Sequence, residues 1–378
     1  MSQHLREAVV DLDAVRDNTA VLVERSGSAG VMAVVKADAY GHGLVPCARA
    51  ALDGGASWLG VALVEEALAL RAAGITAPLL AWLVGPGEHW SQAVSADVDL
   101  SVSAAWAVDA VRAAASSVGR PARVHLKVDT GLGRGGSAPT DWPDLVQLAH
   151  RGVTEGLLDV VGVWSHFAYA DAPGHPTIDR QLASFHDALA VADAAGLRPR
   201  VRHLANSAAV VTRPDTQFDL TRPGLGVYGL SPIPREQSAA QLGLRPAMSL
   251  TARFALVKRV PPGHGVSYGH TYTTDRETTL GLLPIGYADG IDRRGGNRGP
   301  LWAAGRRRTV AGRVCMDQLV VDLGDDAVDV GDVAVLFGDG EHGEPTAEDW
   351  ASALDTISYE VVSRVGPRVV RRFVGGAR

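Results

Sequence analysis

The sequence contains little of what a secreted, membrane-spanning or metal-binding protein would need. Only two cysteines occur, Cys47 and Cys315, and neither has a partner at the spacing of a metal site or a disulfide framework. Such sparse cysteine usage suits the reducing cytoplasm. No apolar run approaches the ~18–20 residues of a membrane-spanning helix, and the N-terminal residues lack the apolar core of a signal peptide. We therefore expect a cytoplasmic protein with no membrane anchor and no bound metal.

An excess of basic charge is also missing. The formal net charge is −6 and the sequence pI is about 6.1, so nothing indicates a surface for nucleic acid or anionic lipid. Hydrophobic residues make up 46% and charged residues 21%, which is typical of globular proteins. A chain of 378 residues is too long for one ordinary core and predicts two domains.

Short apolar segments alternate with alanine-rich segments of helical periodicity up to about residue 235. Short, almost wholly apolar strands are typical of a parallel sheet covered by helices on both faces. About eight such units predict an α/β fold of the (β/α)₈ TIM-barrel type, with a doubly wound sheet as the alternative. The candidate strands are Val31–Asp38, Trp58–Ala62, Leu79–Val84, Asp99–Ser103, Arg123–Thr130, Val160–His166, Val201–Asn206 and Gly224–Gly229.

Polar residues at the carboxyl ends of these strands favour the barrel over the open sheet. Strand ends converge on one mouth in a barrel, whereas they spread along an edge in an open sheet. The polar residues at predicted strand ends are Lys36, Lys127 with Arg134, His166, Asn206 with Ser207, and Arg222 beside Gly224.

The pattern changes after residue 235. Alternating, β-branched segments separated by glycine turns predict a second, mainly antiparallel β domain over residues 236–378. A helix is predicted over Thr346–Leu354, since Thr-Ala-Glu-Asp resembles an N-terminal cap. The first ~12 residues contain one more strand candidate, Arg6–Leu12, and its pairing with the β domain remains an open option. The candidate strands of the β domain are Ser249–Val260, Thr278–Ile285, Thr309–Val314, Gln318–Leu323 and Asp332–Phe337.

The most informative segment is residues 34–43, Val-Val-Lys-Ala-Asp-Ala-Tyr-Gly-His-Gly. A buried apolar run leads directly into Lys36, where an ammonium is costly to bury. A buried lysine tends to lose its proton and to act as a nucleophile. Considered alone, a lysine at a strand end more often extends its amine to solvent.

The ten residues together resemble the pyridoxal-phosphate attachment motif of alanine racemases. The resemblance implies that Lys36 forms the internal aldimine with pyridoxal 5'-phosphate, and that Tyr40 lies near the cofactor phosphate. Further segments that resemble the same family follow in order along the chain as far as Tyr359.

The segment Leu126–Gly135 carries Lys127 and Arg134 around a glycine-rich turn. From the residues alone, Lys127 could simply pair with Asp129. The segment also resembles the lysine–arginine pair of alanine racemases, which implies that Lys127 is carbamylated and holds Arg134. Arg134 would then hydrogen-bond the phenolic oxygen of the cofactor and line the substrate site, a role that suits a planar guanidinium.

Three further segments supply cofactor contacts by the same resemblance. His166 would lie beside the cofactor ring and Arg222 at its pyridine nitrogen. Many pyridoxal-phosphate enzymes place an acid at that nitrogen; an arginine leaves it unprotonated, which disfavours transamination. A helix cap at Ser207 and a turn at Gly224 are the alternative roles, and both are compatible with phosphate binding. The cofactor-binding residues implied here are His166, Asn206, Ser207, Arg222, Gly224 and Leu225.

The second base of a two-base racemase would come from the β domain. Gly265–His270 resembles the tyrosine segment of the family and predicts Tyr268 as that base, although a lone tyrosine there is more often structural. Met316, Asp317 and Tyr287 would line the substrate pocket, and Tyr359 would reach the phosphate or the pocket wall. In the family, Tyr268, Tyr287, Met316 and Asp317 enter the active site of the other subunit. The resemblance therefore implies a homodimer with shared sites.

The function that follows is an isomerase, an alanine racemase that supplies D-alanine for the peptidoglycan of the cell wall. Two-base proton transfer on the cofactor aldimine, by Lys36 and Tyr268, would interconvert L- and D-alanine. The alternatives are a racemase of serine or another small amino acid, a decarboxylase of similar architecture, and a non-catalytic pyridoxal-phosphate carrier. A carrier would have no β domain, and a decarboxylase would have an acid in place of Arg222.

Overall fold

Strands and helices alternate regularly over the first part of the chain in the computed structural model, which describes residues 4–376. The strands are β1 (Arg6–Asp11), β2 (Gly30–Val34), β3 (Trp58–Val61), β4 (Leu79–Ala81), β5 (Asp99–Val102), β6 (Ala122–Lys127), β7 (Leu158–Trp164), β8 (Val201–His203), β9 (Leu220–Thr221), β10 (Met248–Arg253), β11 (Leu256–Val260), β12 (Gly265–Val266), β13 (Tyr272–Thr273), β14 (Thr278–Leu283), β15 (Pro300–Ala303), β16 (Arg306–Thr309), β17 (Leu319–Gly324), β18 (Val333–Phe337) and β19 (Val370–Val374).

The helices lie mostly between the strands of the first part. The α-helices are α1 (Leu12–Arg25), α2 (Leu44–Asp53), α3 (Val64–Ala72), α4 (Trp90–Ser95), α5 (Ala105–Val118), α6 (Trp142–Thr154), α7 (Thr177–Ala194), α8 (Ser207–Thr212), α9 (Ala347–Leu354) and α10 (Ser358–Ser363). Short 3₁₀ turns cover Pro214–Thr216, Leu225–Tyr228, Ala240–Leu242, Tyr268–His270, Tyr287–Asp289 and Arg293–Gly295. No helix among residues 4–376 has the length and hydropathy of a membrane span.

Strands β2 to β9 form one parallel sheet in the order β8-β7-β6-β5-β4-β3-β2-β9. The two ends of this order meet, because Asn206 and Arg222 form a parallel bridge and the Arg222 N–H donates to Ala205 O at 2.8 Å. Leu59, Leu79, Leu100 and the other strand residues that pack inward are fully buried, and each contributes about 1.5–3 kcal/mol on burial. The (β/α)₈ barrel predicted from the sequence is confirmed.

The second part of the chain is mainly antiparallel, as predicted. A six-stranded sheet has the order β16-β15-β18-β10-β1-β19, beside a three-stranded sheet β11-β14-β17 and a small pair β12-β13. Strand β1 pairs antiparallel with β10 and parallel with β19, so the N-terminal strand belongs to the sheet of the C-terminal part. The predicted domain boundary at residues 235/236 stays a prediction. Thr346 caps α9, with Asp349 completing a capping box.

Two predicted strands were wrong and two were misplaced at an end. Gly224–Gly229 holds a 3₁₀ turn, and the last barrel strand is β9, directly before it. In a short apolar run, periodicity alone cannot tell a strand from a helix. Gly229 ends the 3₁₀ turn at φ 75°, where a Cβ atom would collide with Arg245 O. Thr309–Val314 is not a strand, since β16 ends at Thr309. Val31–Asp38 ends early at Val34, and Ser249–Val260 divides into β10 and β11, which lie in different sheets.

Candidate active site

A left-handed turn follows Lys36 at the carboxyl end of β2. Ala37, Asp38, Ala39 and Tyr40 all have φ between 53° and 55°, a region that costs roughly 1–2 kcal/mol per non-glycine residue. Hydrogen bonds from Gly41 N to Ala37 O (2.9 Å) and from Ala39 N to Val35 O (2.9 Å) close the turn. The turn explains why β2 ends before the position expected from the apolar run.

Lys36 is partly buried between two aromatic rings. Its Nζ atom lies 5.8 Å from the ring centroid of Trp82 and 6.0 Å from that of Tyr40. Burial, and then the positive charge of Arg134, lower the pKa of Lys36, while the negative charge of Glu66 acts in the opposite direction. A lowered pKa is what the nucleophilic amine expected from the sequence would need, and burial is its main cause here.

Four cationic side chains, those of Lys36, Lys127, Arg134 and Arg222, influence one another at the mouth of the barrel. Burial lowers the pKa of Lys127 to about 8, with Arg222 and Arg134 as the next causes. The Nζ atom of Lys127 lies 4.4 Å from the ring centroid of Trp164. None of the four cations has an ion pair with a carboxylate among residues 4–376. The mouth is thus suited to an anionic ligand.

The pairing of Lys127 with Asp129, considered from the sequence, is not found in the described residues. The Asp129 carboxylate instead accepts from the N–H groups of Gly131 (2.9 Å), Leu132 (3.0 Å) and Gly133 (3.0 Å). Asp129 therefore shapes the glycine-rich turn that leads to Arg134, which is exposed.

Arg222 is buried and held by four acceptors. Its Nη2 atom donates to Ser165 O (2.7 Å), to Leu204 O (3.2 Å) and to Nδ1 of His166 (3.3 Å). Nη1 lies 3.2 Å from Nδ1 of His203. Burial and the nearby cations lower the pKa values of both histidines well below the usual range. Neutral imidazoles can accept from the guanidinium, so Arg222 has a fixed orientation.

A buried chain extends from His203 toward the other end of the barrel. Nε2 of His203 lies 2.8 Å from Nδ1 of His125, and Nε2 of His125 lies 3.0 Å from the Asp99 carboxylate. With His203 accepting from Arg222, each ring donates to the next acceptor and the chain ends on Asp99. The sequence analysis missed this chain, although His125 and His203 lie on predicted strands.

Ser207, Gly224 and Tyr40 form a small polar cradle after strands β8 and β9. The Ser207 hydroxyl accepts from the N–H groups of Gly224 (2.8 Å) and Gly226 (3.3 Å), which leaves its own proton free to donate. A Cβ atom at Gly224 would lie 2.3 Å from the Tyr40 hydroxyl oxygen. Leu225 begins the next turn, so its N–H has no acceptor inside it. Asn206 caps α8 through Ala209 N at 3.1 Å.

Tyr40 is held in an aromatic group. Its ring centroid lies 4.9 Å from that of Tyr228 and 5.9 Å from that of Tyr359. Burial raises the pKa of Tyr40 above its usual range and that of Tyr359 to about 12, so both phenols stay protonated as hydrogen-bond donors. Tyr228, which the sequence analysis missed, donates to Val34 O at 2.9 Å and anchors the group to β2.

The remaining predicted residues lie together on the second domain. Tyr287 N donates to Cys315 O (3.0 Å), and the Ser267 hydroxyl donates to Arg313 O (2.7 Å), which joins their loops. Tyr268 is 71% exposed, and Met316 is 53% exposed. No hydrogen bond, ion pair or ring contact connects this group to Lys36 or Arg222 in the described part of the single chain. We call it the β-domain patch, defined by Tyr268, Tyr287, Met316 and Asp317.

Both parts of the chain are similar to known proteins. The family profile described as "Alanine racemase, N-terminal domain" matches residues 10–232, and that of "Alanine racemase, C-terminal domain" matches residues 247–373. The chain is 61% identical over 367 residues to an alanine racemase of Frankia casuarinae, covering 97% of this chain and 96% of that protein. It is 59% identical over 372 residues to one of Thermobifida fusca, covering 98% and 99%.

Solved structures agree with the sequence comparison. The crystal structure of alanine racemase from D-cycloserine-producing Streptomyces lavendulae is similar with a TM-score of 0.99 and 57% identity, over 100% of this chain and 99% of that chain. The alanine racemase of Streptomyces coelicolor has a TM-score of 0.97 at 57% identity, over 98% of both chains. Both halves of the chain, in fold and in sequence, therefore show that it belongs to the alanine racemase family.

Proposed function

We propose that this protein is a racemase that interconverts L- and D-alanine with pyridoxal 5'-phosphate held at the barrel mouth by Lys36. The observation that carries the proposal is the desolvated Lys36 amine among Lys127, Arg134 and Arg222, none of which pairs with a carboxylate in the described residues. Alanine racemases depend on pyridoxal phosphate. The full-length similarity to proteins of that name supports the same activity here.

The residues of the mouth fit this cofactor. The cradle of Ser207, Gly224, Leu225 and Tyr40 offers hydroxyl and backbone N–H donors to a phosphate, and only a residue without a Cβ leaves room beside the Tyr40 hydroxyl. Tyr359, in ring contact with Tyr40, would add a further donor. Asn206 would bind indirectly, because its side-chain oxygen already caps α8.

Arg222 would face the ring nitrogen and His166 the ring. Bound here, the cofactor supplies an electron sink that acidifies the α-carbon of an amino acid. Burial lowers the pKa of Arg222 to about 9, so the guanidinium remains a cation at neutral pH. A cation offers the nitrogen no proton acceptor of the kind that a carboxylate provides. We therefore expect little transamination, since a weaker sink shortens the life of the carbanion.

Lys127 would be carbamylated. Its amine, with a pKa lowered to about 8, can attack carbon dioxide, forming an N–C bond and releasing one proton. The product is an anion among Arg134, Arg222 and Lys36, which removes the like-charge repulsion that now lowers the lysine's pKa. The carbamate would hold Arg134, which is exposed and has no partner in the described single chain. Arg134 would then contact the cofactor's phenolic oxygen and the substrate.

Proton transfer needs a base on each face of the α-carbon. Lys36, with its amine free, would serve one face. Tyr268 would serve the other, from a second copy of the chain, because its position on the β-domain patch is exposed and unconnected to Lys36 of its own chain. Tyr287, Met316 and Asp317 would enter with it and line the substrate carboxylate end. Two exposed apolar side chains, Leu83 shortly after β4 and Ile357 two residues before Tyr359, support a covering partner.

A homodimer with two shared sites follows from this arrangement. The substrate would be a small amino acid, because Tyr359 and the partner subunit's Tyr287 would together narrow the pocket. Alanine is favoured over serine by the full-length relatives, and relative rates over a panel of amino acids decide between them. Both cysteines are free thiols in the structure, which agrees with a cytoplasmic enzyme that supplies D-alanine for peptidoglycan.

Loss of optical rotation from L-alanine tests the proposal directly. The purified protein is assayed with and without added pyridoxal phosphate, with cofactor occupancy measured by absorbance and by borohydride reduction followed by peptide mapping. We expect racemisation that depends on the cofactor, and labelling at Lys36. A fully occupied protein that leaves the rotation of L-alanine unchanged contradicts the activity, and labelling of another residue contradicts the site.

A further inference from the structure

The left-handed turn after Lys36 requires support from outside itself. Its four positive-φ residues are Ala37, Asp38, Ala39 and Tyr40, and none of them is a glycine. Such backbone persists only where the surrounding structure holds it. The Asp38 carboxylate accepts from Leu44 N at 2.7 Å, which secures the far end of the turn to α2.

The near end of the turn is held by Glu66. The N–H of Ala37, the residue directly after Lys36, donates to Oε1 of Glu66 at 2.5 Å. The other oxygen, Oε2, accepts from the N–H groups of Ala62 and Leu63, both at 3.0 Å. One carboxylate therefore joins the end of β3 and the start of α3 to the backbone that carries the reactive lysine.

The direction of two site residues depends on this turn. It brings Tyr40 back toward Lys36, with the lysine Nζ atom 6.0 Å from the tyrosine ring, and it sets the Tyr40 hydroxyl against Gly224. If the exposed Ala37 N–H lost its acceptor, water would have to replace the carboxylate, and water does not tie the strained turn to β3 and α3. The turn could then relax, and both side chains would leave their positions.

We propose that Glu66 is a positioning residue for Lys36, acting through the N–H of Ala37 to hold the strained turn that aims the lysine amine and Tyr40 into the barrel mouth. This inference rests on the proposed function, since it concerns how the same lysine reaches the cofactor aldehyde. The sequence shows Glu66 only as a helix-start residue, because its contact with Ala37 joins positions 29 residues apart.

Glu66→Gln and Glu65→Gln form a matched pair of variants. Both remove one negative charge from the first turn of α3, but Glu65 is exposed and its side chain makes no hydrogen bond in the described structure. A glutamine at position 66 has a single acceptor oxygen for three N–H donors. At least one of the three contacts is therefore lost in Glu66→Gln and none in Glu65→Gln.

The measurement is the labelling rate of Lys36 in cofactor-free protein by pyridoxal phosphate and borohydride, read by peptide mapping. The assay is run at alkaline pH, where free amines dominate and the charge of Glu66 no longer sets the rate. The sequence contains three lysines, and Lys258, which is exposed on β11, serves as the internal reference. We expect the Lys36-to-Lys258 labelling ratio to fall about tenfold in Glu66→Gln and to stay at the wild-type value in Glu65→Gln.

A wild-type ratio in Glu66→Gln overturns the inference, and a fall in thermal stability with an unchanged ratio shows that Glu66 only caps α3. If Glu66→Gln does not fold, Glu66→Asp replaces it. This variant keeps the charge but is one methylene shorter, and we expect it to lower the ratio as well; an unchanged ratio again overturns the proposal. Failure of the proposed function is distinguishable, because wild-type protein would then not be labelled at Lys36.

Discussion

The barrel mouth and the β-domain patch carry the same kinds of residue in opposite environments. At the mouth, Tyr40 is buried against Tyr228 and Gly224, and burial raises the pKa of its phenol above the usual range, so the phenol stays protonated. On the patch, Tyr268 is 71% exposed and Met316 is 53% exposed. Contacts within the chain hold the side chains of the mouth in place, whereas the side chains of the patch face solvent.

Under the proposed function, this difference separates what one chain supplies from what a second copy would supply. Burial and neighbouring cations already lower the pKa values of Lys36 and Lys127 within one chain, so under the proposed function the mouth would bind the cofactor without help from the patch. A phenol needs a changed environment to act as a base near neutral pH, and nothing in the described chain covers Tyr268. Under the proposed function, a second copy of the chain would therefore cover Tyr268 and complete the site.

Replacing Lys36 should have the largest effect. Lys36→Ala removes both the covalent attachment point and one base, so we expect racemisation to fall by at least about 10⁴-fold. Steady-state rates with D- and L-alanine measure the loss. Lys258→Ala, on the exposed strand β11, is the control and should keep full activity; retained activity in Lys36→Ala would remove the mouth from the mechanism.

The Tyr268→Phe variant should have the second-largest effect, a fall of about 10³-fold in the rate of racemisation. The variant keeps Lys36, so hydrogen exchange from D₂O into one enantiomer should continue without inversion, as mass spectrometry would show. Tyr272→Phe, which loses a hydroxyl bonded to Asp322 at 2.7 Å, is the matched tyrosine control and should retain both activities.

Mixing Lys36→Ala with Tyr268→Phe tests whether mouth and patch belong to different chains. A mixed dimer would contain one site with both residues intact, so random exchange should restore about a quarter of the wild-type activity. No recovery after subunit exchange, verified by differently tagged copies, would place both residues in a site within one chain.

Lys127 should differ from Lys258 by about 100-fold in amine reactivity at pH 8. The pKa of Lys127 is lowered to about 8, so its reactive neutral form grows as the pH rises through that value, about two units below an ordinary lysine. Trace acetylation of cofactor-free protein in CO₂-free buffer, with peptide mapping, gives both lysines in one experiment. Identical profiles for the two would refute the desolvation argument.

The Gly224→Ala variant should have the smallest effect, a loss of about tenfold in affinity for pyridoxal phosphate. Fluorescence titration measures this affinity. The new Cβ would lie 2.3 Å from the Tyr40 hydroxyl oxygen. Adding Tyr40→Phe removes that oxygen and should recover most of the folding stability that Gly224→Ala loses. Additive losses in the double variant would show that the glycine is needed for another reason.

Much of the fold could be predicted from the sequence. Seven of the eight barrel strands overlap their predicted segments, because each apolar run is short and bounded by helical periodicity, although the segment predicted for β2 extends beyond its end at Val34. The eighth, β9, has only two residues, too few for a pattern to register. The left-handed turn after Lys36 was also missed, because alanine and tyrosine carry no local preference for positive φ, and one aspartate among them is too weak a signal.

The candidate residues were found as separate motifs, and their grouping was only partly foreseeable. His203, Trp82 and Glu66 were missed, since their contacts with Arg222, Lys36 and Ala37 join distant segments. A sequence pattern reports periodicity and short-range spacing, and long-range contacts leave no such signal in a single chain.

The sequence by itself determined which reactive groups are present and the order of strands that carries them, because local propensities and short motifs depend on near neighbours. Only the tertiary structure decided how those groups work together. Closure of the barrel through Asn206 and Arg222 gathers the strand ends, and burial there lowers the pKa of Lys36. Both effects depend on removing water by contacts from many segments at once, which no short stretch of chain can specify.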